Sequence, residues 1–295
     1  MKINKKTAIK AAAIVGIATM LSVPYLYAAS NSEKNEAEDI YAKKCTELYQ
    51  SENYNEAYSY CLKSSKKGNA DSTEKLKDVA REIGLSFYPI NVKKTIKWLE
   101  KAAEHGSVQT QLDLGNIYNE CQNDGIYSHF GCDFLNEKKA FKWFLKAAEN
   151  GNQEAQFQLG YMFEYNLDDA AEAAKWYRKS AENGNSEAQF SIGEMYKDGR
   201  GVKQDDAEAA KWYRKSAENG NSDAQYELGE MYENGKGVIQ DYSEAAKWYR
   251  AAAEQDDQEA QYKLGVLYEN GWGVKQDYAE AARWYRKSVE IWRSL

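Results

Sequence analysis

The sequence predicts an all-α solenoid built from about seven antiparallel helix pairs. Three observations predict it: a tandem repeat of 36 residues, apolar residues at helical spacing in both halves of each repeat, and only two prolines beside 23 tyrosines and eight tryptophans. Since neither half of a repeat can bury its apolar side alone, successive helix pairs must stack on one another. The apolar fraction of 43% is enough for such a core and argues against a disordered chain.

Two independent markers give the length of the repeat. The tryptophans from Trp176 to Trp284 recur every 36 residues, and Leu-Gly or Ile-Gly pairs keep the same spacing. Earlier in the chain both markers widen together to 45 residues and then shorten to 33 residues. We infer an insertion between Tyr118 and Asn136, and a deletion in the following unit, which lacks the Gly-x-Gly-Val turn of the later units.

The first half of each unit is predicted to be an amphipathic helix. In the unit that starts at Asn185, the residues Ala188, Ile192 and Met195 recur at the spacing of one helix face. Gly193 lies on that face without a side chain, so we expect a neighbouring helix to approach its backbone closely.

The second half of each unit is predicted to be a second helix after a glycine turn. Gly199 and Gly201 end the first helix, and Asp205 with Glu208 three residues later has the pattern of a capping box at the start of the second. One side of that helix is expected to be buried. Its members are Ala209, Trp212, Tyr213, Ser216 and Ala217.

The first thirty residues have the pattern of a secretory signal. A basic start is followed by an apolar run from Ala11 to Leu26 and by small residues from Ala28 to Ser30. We therefore expect export, to the periplasm or out of the cell. The alternative is an inner-membrane anchor formed by residues 11–29, the one membrane contact that the sequence predicts. The expected divisions are a signal peptide at 1–30, a short polar linker at 31–36, repeats at 37–292 and a C-terminal tail at 293–295.

Composition excludes several classes of function. The chain has 39 Lys and Arg against 46 Asp and Glu, a net charge of −7, so nucleic acid is not an expected partner. Two histidines and four cysteines do not form a zinc or catalytic framework, and no phosphate-binding glycine loop occurs, so we expect no metal and no cofactor. His105 and His129 are expected to be surface residues.

The repeat pattern A-x-x-x-L-G-x-x-Y…G-x-G-V-x-Q-D-Y-x-E-A-A-x-W-Y-R-K-S-A-E-x-G resembles the Sel-1-like repeat, a relative of the tetratricopeptide repeat. The resemblance covers nearly all of the chain after the signal and is most specific in the last three full units. It implies a right-handed superhelix whose first helices line a concave groove. It also implies a scaffold or adaptor that binds proteins or peptides, and bacterial exported members are often linked to envelope assembly or host contact.

By register within this family fold, the cysteines can be paired. Cys45 and Cys61 fall at positions that face each other across the first helix pair, and Cys121 and Cys132 both lie in the enlarged loop. We predict a disulfide bond for each pair, which suits an oxidising compartment.

The groove implied by the resemblance carries an aromatic row edged by carboxylates. Aromatic rings are enriched at binding hot spots, and carboxylates favour a peptide with Lys or Arg. Two interpretations of the rings stay open: they bind a partner, or they only pack between neighbouring first helices. For the carboxylates, an ordinary solvated face is the more common arrangement. The candidate residues are Phe157, Tyr161, Glu164, Phe190, Glu194, Tyr226, Glu230, Glu233, Tyr262 and Glu269.

An enzyme is not expected. Some cysteine-rich relatives have been described as penicillin-binding proteins or weak β-lactamases, and this role is the alternative function. Ser64 and Ser72 each have a Lys three residues later, the spacing of a serine acyl enzyme, but no S-D-N or K-T-G sequence accompanies them.

Overall fold

A computed structural model describes residues 40–87, 91–119 and 136–290, and no strand occurs among them. Odd-numbered helices are the first helix of a pair and even-numbered helices are the second. The helices are α1 (residues 40–50), α2 (Tyr54–Ser65), α3 (Ala70–Ser86), α4 (Val92–Glu104), α5 (Val108–Asn119), α6 (Glu137–Glu149), α7 (Gln153–Tyr161), α8 (Ala170–Glu182), α9 (Ser186–Asp198), α10 (Asp206–Glu218), α11 (Ser222–Asn234), α12 (Tyr242–Ala253), α13 (Gln258–Asn270) and α14 (Tyr278–Glu290).

The chain divides into two compact units between Thr110 and Gln111. In the first unit α2 packs on α3 and α3 packs on α4. In the second unit each helix from α6 to α14 packs on the next one along the chain. The predicted fold class, an all-α solenoid of stacked helix pairs, is confirmed. The proposed signal, the linker and the C-terminal tail lie outside the described residues.

First helices from α7 onward begin at the same kind of polar cap, and α9, α11 and α13 also end alike, because the same residue types recur. The side chain of Asn185 accepts a hydrogen bond from the amide of Ala188 at 2.8 Å, and Asn152 and Asn221 cap their helices equally. α9 ends at Gly199, whose φ of 72° lies in the left-handed region, where a side chain would be strained. Polar caps at one end and glycine at the other therefore fix the helix length.

The glycine of each Leu-Gly pair receives an aromatic ring from the second helix of the same pair. A Cβ atom built at Gly193 would lie 2.7 Å from the ring of Tyr213. Gly229 stands against Tyr249 in the same way, with a corresponding distance of 2.6 Å. The expected close approach is confirmed, and the approaching group is a tyrosine ring.

Second helices bury the predicted face, and all five predicted residues of α10 are buried. Only half of the predicted capping box forms. The Asp205 side chain accepts from the amide of Glu208 at 3.0 Å, but the Asp205 amide donates to the carbonyl of Tyr196 at 2.9 Å. Glu208 instead pairs with Lys211 at 2.7 Å. The first helix of the pair thus supplies the acceptor that a capping-box glutamate would have provided.

Successive pairs are joined by buried glutamines. Gln189 donates through Nε2 to the carbonyl of Ala181 at 3.0 Å, and its Oε1 accepts from Asn219 at 2.9 Å. Gln156 and Gln225 make the corresponding two bonds in their repeats. Since a buried amide is costly unless it is bonded, this ladder fixes the register of neighbouring pairs.

The first unit contains the predicted disulfide bond between Cys45 and Cys61, with the two Cα atoms 4.9 Å apart and both residues fully buried. Cys121 and Cys132 lie outside the described residues, as does His129. The expectation that His105 is a surface residue is wrong. Its ring is half-buried and its Nε2 lies 3.1 Å from the hydroxyl of Tyr58, and burial lowers the pKa of His105.

Candidate functional site

The predicted aromatic row lies on the first helices of the second unit, and each ring packs against a tyrosine of its own helix pair. The residues of the row occupy equivalent positions in successive repeats. Their ring centroids lie 5.5–5.8 Å from those of the second-helix tyrosines, at tilted angles. The pairs are Phe157 with Tyr177, Phe190 with Tyr213, Tyr226 with Tyr249, and Tyr262 with Tyr285.

This support leaves part of each ring at the surface. Tyr262 is 55% exposed, while Phe157, Phe190 and Tyr226 are half-buried. Tyr161, next to the row, is 47% exposed and its ring lies 4.6 Å from that of Tyr165. Rings that pack on a second-helix tyrosine and remain partly open to solvent offer contact area to a ligand, and they lose little conformational entropy on binding.

The second-helix tyrosines also hold the predicted carboxylates. The Tyr177 hydroxyl donates to Glu164 at 2.9 Å, and the Tyr285 hydroxyl donates to Glu269 at 2.7 Å. Burial, together with the adjacent carboxylate, raises the pKa of each of these tyrosines, so both stay protonated donors. Tyr249 holds Glu233 at the position of Glu269, whereas Tyr213 holds Glu194, three residues earlier on its helix, because Lys197 occupies the equivalent position in that repeat.

Lysines then join the carboxylates of neighbouring repeats. Lys197 lies 2.6 Å from Glu194 in its own helix and 3.0 Å from Glu227 in the next first helix. Burial raises the pKa of Glu227 while Lys197 opposes that shift.

Lys263 also binds two carboxylates, but both belong to the preceding first helix, with Glu230 at 3.1 Å and Glu233 at 3.0 Å. In both clusters two carboxylates share one ammonium group, which leaves one net negative charge per cluster.

These contacts were not foreseen from the sequence. Glu164, whose side chain is 9% exposed, is paired with Arg200 from the next repeat and accepts from Tyr177. Of the predicted carboxylates, Glu269 is exposed and the others are partly buried. The spacing from the glutamate to the second-helix tyrosine is 16 residues only in the last two repeats, and it is 13 and 19 in the two before them, so spacing gave little signal. The pattern of apolar residues gives those tyrosines only a packing role.

A cleft of about 240 Å³ opens between two rings of the row. Tyr226 and Tyr262 stand on either side, with Glu259, Lys263 and Ser288 around them. The space accommodates about one side chain, and its walls offer two aromatic faces, a carboxylate and an ammonium group. Such a site can bind a polypeptide side chain but holds no nucleophile with a neighbouring base.

The alternative catalytic residues do not form a site. Ser64 and Ser72 are both fully buried, and their hydroxyls make no hydrogen bond among the described residues. A serine enclosed in this way cannot reach a substrate carbonyl. Among residues 40–87, 91–119 and 136–290, no group of three potential metal ligands occurs. No helix in that part of the chain combines the length and apolarity that a membrane crossing requires.

Comparison with known proteins agrees with the repeat count. The Sel1 repeat matches seven segments, at residues 47–69, 79–107, 109–152, 153–185, 186–221, 222–257 and 258–290. The comparison with curated proteins gives no match.

Two solved structures share 30% identity with the chain. A protective antigen present in uropathogenic Escherichia coli strains, which displays an SLR fold, superposes with a TM-score of 0.63 over 79% of this chain and 48% of that chain. A Sel1 repeat protein from Oxalobacter formigenes superposes with a TM-score of 0.61 over 71% of this chain and 84% of that chain. The chain thus spans about half the length of the antigen and most of the second protein.

Proposed function

The chain belongs to the Sel1 repeat family of repeat scaffolds, which generally mediate protein–protein interaction, and on that premise we propose that it is an adaptor that binds a protein or peptide along the first helices of its second unit. The concave groove expected for this family is the proposed site. The occupant is an extended segment, because equivalent positions recur from repeat to repeat.

One observation carries the proposal: the cleft between Tyr226 and Tyr262. Tyr262 is 55% exposed although it is a large ring, and its partner Tyr285 holds it from the core side. Aromatic residues fixed in this way are the usual anchors of protein interfaces.

The charges favour a segment that contains Lys or Arg. Each lysine-centred cluster keeps one net negative charge, and Glu259 adds a carboxylate at the wall of the cleft. A basic ligand would be attracted, and its affinity would fall with added salt. The internal ion pairs reduce this attraction compared with five free carboxylates on an open face.

Export is part of the proposal. The signal-like pattern of residues 1–30 supports it, and so does the disulfide bond between Cys45 and Cys61, because such bonds persist in oxidising compartments. More specifically, we propose a role in envelope assembly or host contact. Fractionation of cells that produce the full chain, with the intact mass of the recovered protein, tests it: a cytoplasmic protein that retains residues 1–30 would contradict export.

Photo-crosslinking tests the site directly. Benzoylphenylalanine in place of Tyr262 should crosslink to a polypeptide in envelope extract. Mass spectrometry of the product should locate the crosslink at position 262. The matched control is the same replacement at Tyr278, which is 67% exposed but lies on a second helix. Equal crosslinking at Tyr278, or none at Tyr262, would contradict the proposal.

A further inference from the structure

The repeat formed by α7 and α8 lacks the Gly-x-Gly-Val turn that joins the two helices in each of the three following repeats. Elsewhere the second glycine of the Gly-x-Gly-Val turn lies on the start of the preceding second helix. A Cβ atom built at Gly201 would be 2.0 Å from the carbonyl oxygen of Ala170, and one at Gly237 would be 2.1 Å from that of Asp206. The turn thus covers the beginning of the helix before it.

The valine of the same turn fills the space beneath it. Val202 packs against the core cluster that contains Ala174 of the preceding second helix. Val238 packs in the same way against the cluster of Ala210, and Val274 against that of Ala246. In three consecutive repeats an aliphatic side chain on a tight turn therefore occupies one equivalent position.

At the start of α6 no described residue takes the place of this turn, although Phe141 stands where α8 has the smaller Ala174 and packs against Phe163. The helix caps with Asn136 as α8 caps with Asp169, so Glu137 and Lys138 correspond to the residues that Gly201 covers on α8. The following repeat has no turn glycine here. Its first helix ends in a π-helical turn, Met162–Asn166, which continues into Leu167.

An apolar pocket of about 380 Å³ results, which we call the α6 notch. Its apolar lining residues are Phe141, Met162 and Leu167, and Glu137, Lys138 and Asn166 complete the described lining. Leu167 is 55% exposed and nearby Tyr165 is 63% exposed, whereas Met162 is 4% exposed and forms a closed end. Exposed apolar surface gathered in one concavity is the usual mark of a binding site.

We propose that the α6 notch binds an aliphatic side chain presented on a turn of a partner polypeptide, in the place that a turn valine of the chain itself occupies in the later repeats. The proposal is independent of ligand binding along the aromatic row, because none of the lining residues belongs to that row. The α6 notch would be a second binding site beside the aromatic row, and the group it recognises is an aliphatic side chain.

The probe for this proposal is a cyclic peptide that carries the sequence of residues 199–204, Gly-Arg-Gly-Val-Lys-Gln. Titration into the full chain, labelled at its methyl groups, should produce saturable shifts of the Met162 and Leu167 signals, with a Kd of about 1 mM for so small a ligand. The Met195 and Met231 signals, in repeats that retain their turns, should not move. A peptide with Asp in place of Val should give no shift.

Three variants complete the test. Leu167→Asp should weaken binding at least about tenfold, because a charge replaces apolar contact. Ile239→Asp is the matched control, since Ile239 is 91% exposed in a regular turn, and it should bind as the parent does. Insertion of a Gly-x-Gly-Val turn after Tyr165 should both raise the denaturation midpoint and abolish peptide binding.

The opposite results are equally defined. Absence of shifts at Met162 and Leu167, equal binding by Leu167→Asp, or unchanged binding after the turn insertion would overturn the proposal. So would a concentration-dependent dimer in analytical ultracentrifugation that Leu167→Asp abolishes, since the occupant would then be a second copy of the chain.

Discussion

At the scale of single residues, the last repeat differs from the two before it at two neighbouring positions, and the structure shows how these differences affect stability. Gly184 and Gly220 end their second helices with φ values of 99° and 91°, whereas Asp256 holds the equivalent place with φ of 65°. The next position is asparagine in the two preceding repeats and Asp257 here. Both changes are visible in the sequence, but only the structure shows that the asparagines equivalent to Asp257 donate a side-chain hydrogen bond.

Asp257 faces a carboxylate where its equivalents make a hydrogen bond. Asn185 donates to Glu154 at 3.1 Å and Asn221 donates to Glu187 at 3.0 Å. Asp257 cannot donate when ionised. Burial, and the charges of Glu259 and Asp223, raise its pKa above the ordinary value.

We therefore predict that Asp257→Asn stabilises the protein by about 1 kcal/mol at pH 7, since the amide can both cap α13 and donate to Asp223. Because the folded-state pKa of Asp257 is raised, its unfavourable contribution is present above that pKa and is lost as pH falls toward the unfolded value near 3.8. The gain from the substitution should shrink over the same range. Urea unfolding at several pH values measures it.

The matched control is Asn221→Asp, which creates the same clash with Glu187 and should destabilise the protein at pH 7. If Asp257→Asn proves neutral, or if its gain grows as pH falls, the electrostatic account of this position is wrong.

At the scale of elements, the two helices of a pair satisfy each other's ends. The amide of Asp205 bonds to Tyr196, and Asp241 and Asp277 bond to the equivalent carbonyls of Tyr232 and Tyr268. The end of a first helix and the start of the next second helix are thus one hydrogen-bonded corner. This arrangement leaves the third residue of the second helix free to pair with a lysine.

Because the corner replaces half of the capping box, the two candidate capping residues should differ in importance. Asp205→Ala should destabilise the protein by about 1 kcal/mol, since the amide of Glu208 loses its acceptor. Glu208→Ala should cost less than about 0.5 kcal/mol, because it removes only a surface ion pair with Lys211. Thermal unfolding of both variants makes the comparison. Equal losses would show that Glu208 caps the helix in solution.

The elements were predictable from the sequence because they rest on local signals. Periodic apolar residues, Asn and Asp caps and turn glycines give the regular helix pairs, and register gives the Cys45–Cys61 bond. The candidate face was predictable only as a row of positions. Its tyrosine-held carboxylates and the lysine pairs between repeats join residues 13–33 positions apart, and no local pattern reports such bonds. The π-helical turn was missed for a related reason: the sequence shows that a turn is absent, but not how the chain closes without it.

At the scale of the whole molecule, stability is divided among neighbours. In repeat proteins each pair contacts only the adjacent pairs, so the folding free energy is close to a sum of local terms. The first pair has a neighbour on one side only among the described residues, and the Cys45–Cys61 bond lies in that pair. A bond that closes a loop of about 15 residues contributes roughly 3 kcal/mol, chiefly by restricting the unfolded chain.

Reduction of this bond should consequently loosen the first unit while leaving the second intact. Hydrogen exchange followed by mass spectrometry, with and without a reductant, should show faster exchange in α1 and α2 after reduction. Peptides from α9 to α12 should keep their protection, because the buried glutamine ladder and the tyrosine–glutamate pairs that hold them do not involve the cysteines. The Cys45→Ala, Cys61→Ala double variant without reductant should reproduce the local effect. Loss of protection throughout the chain would mean that both units unfold as one cooperative body, and the local account of stability would then fail.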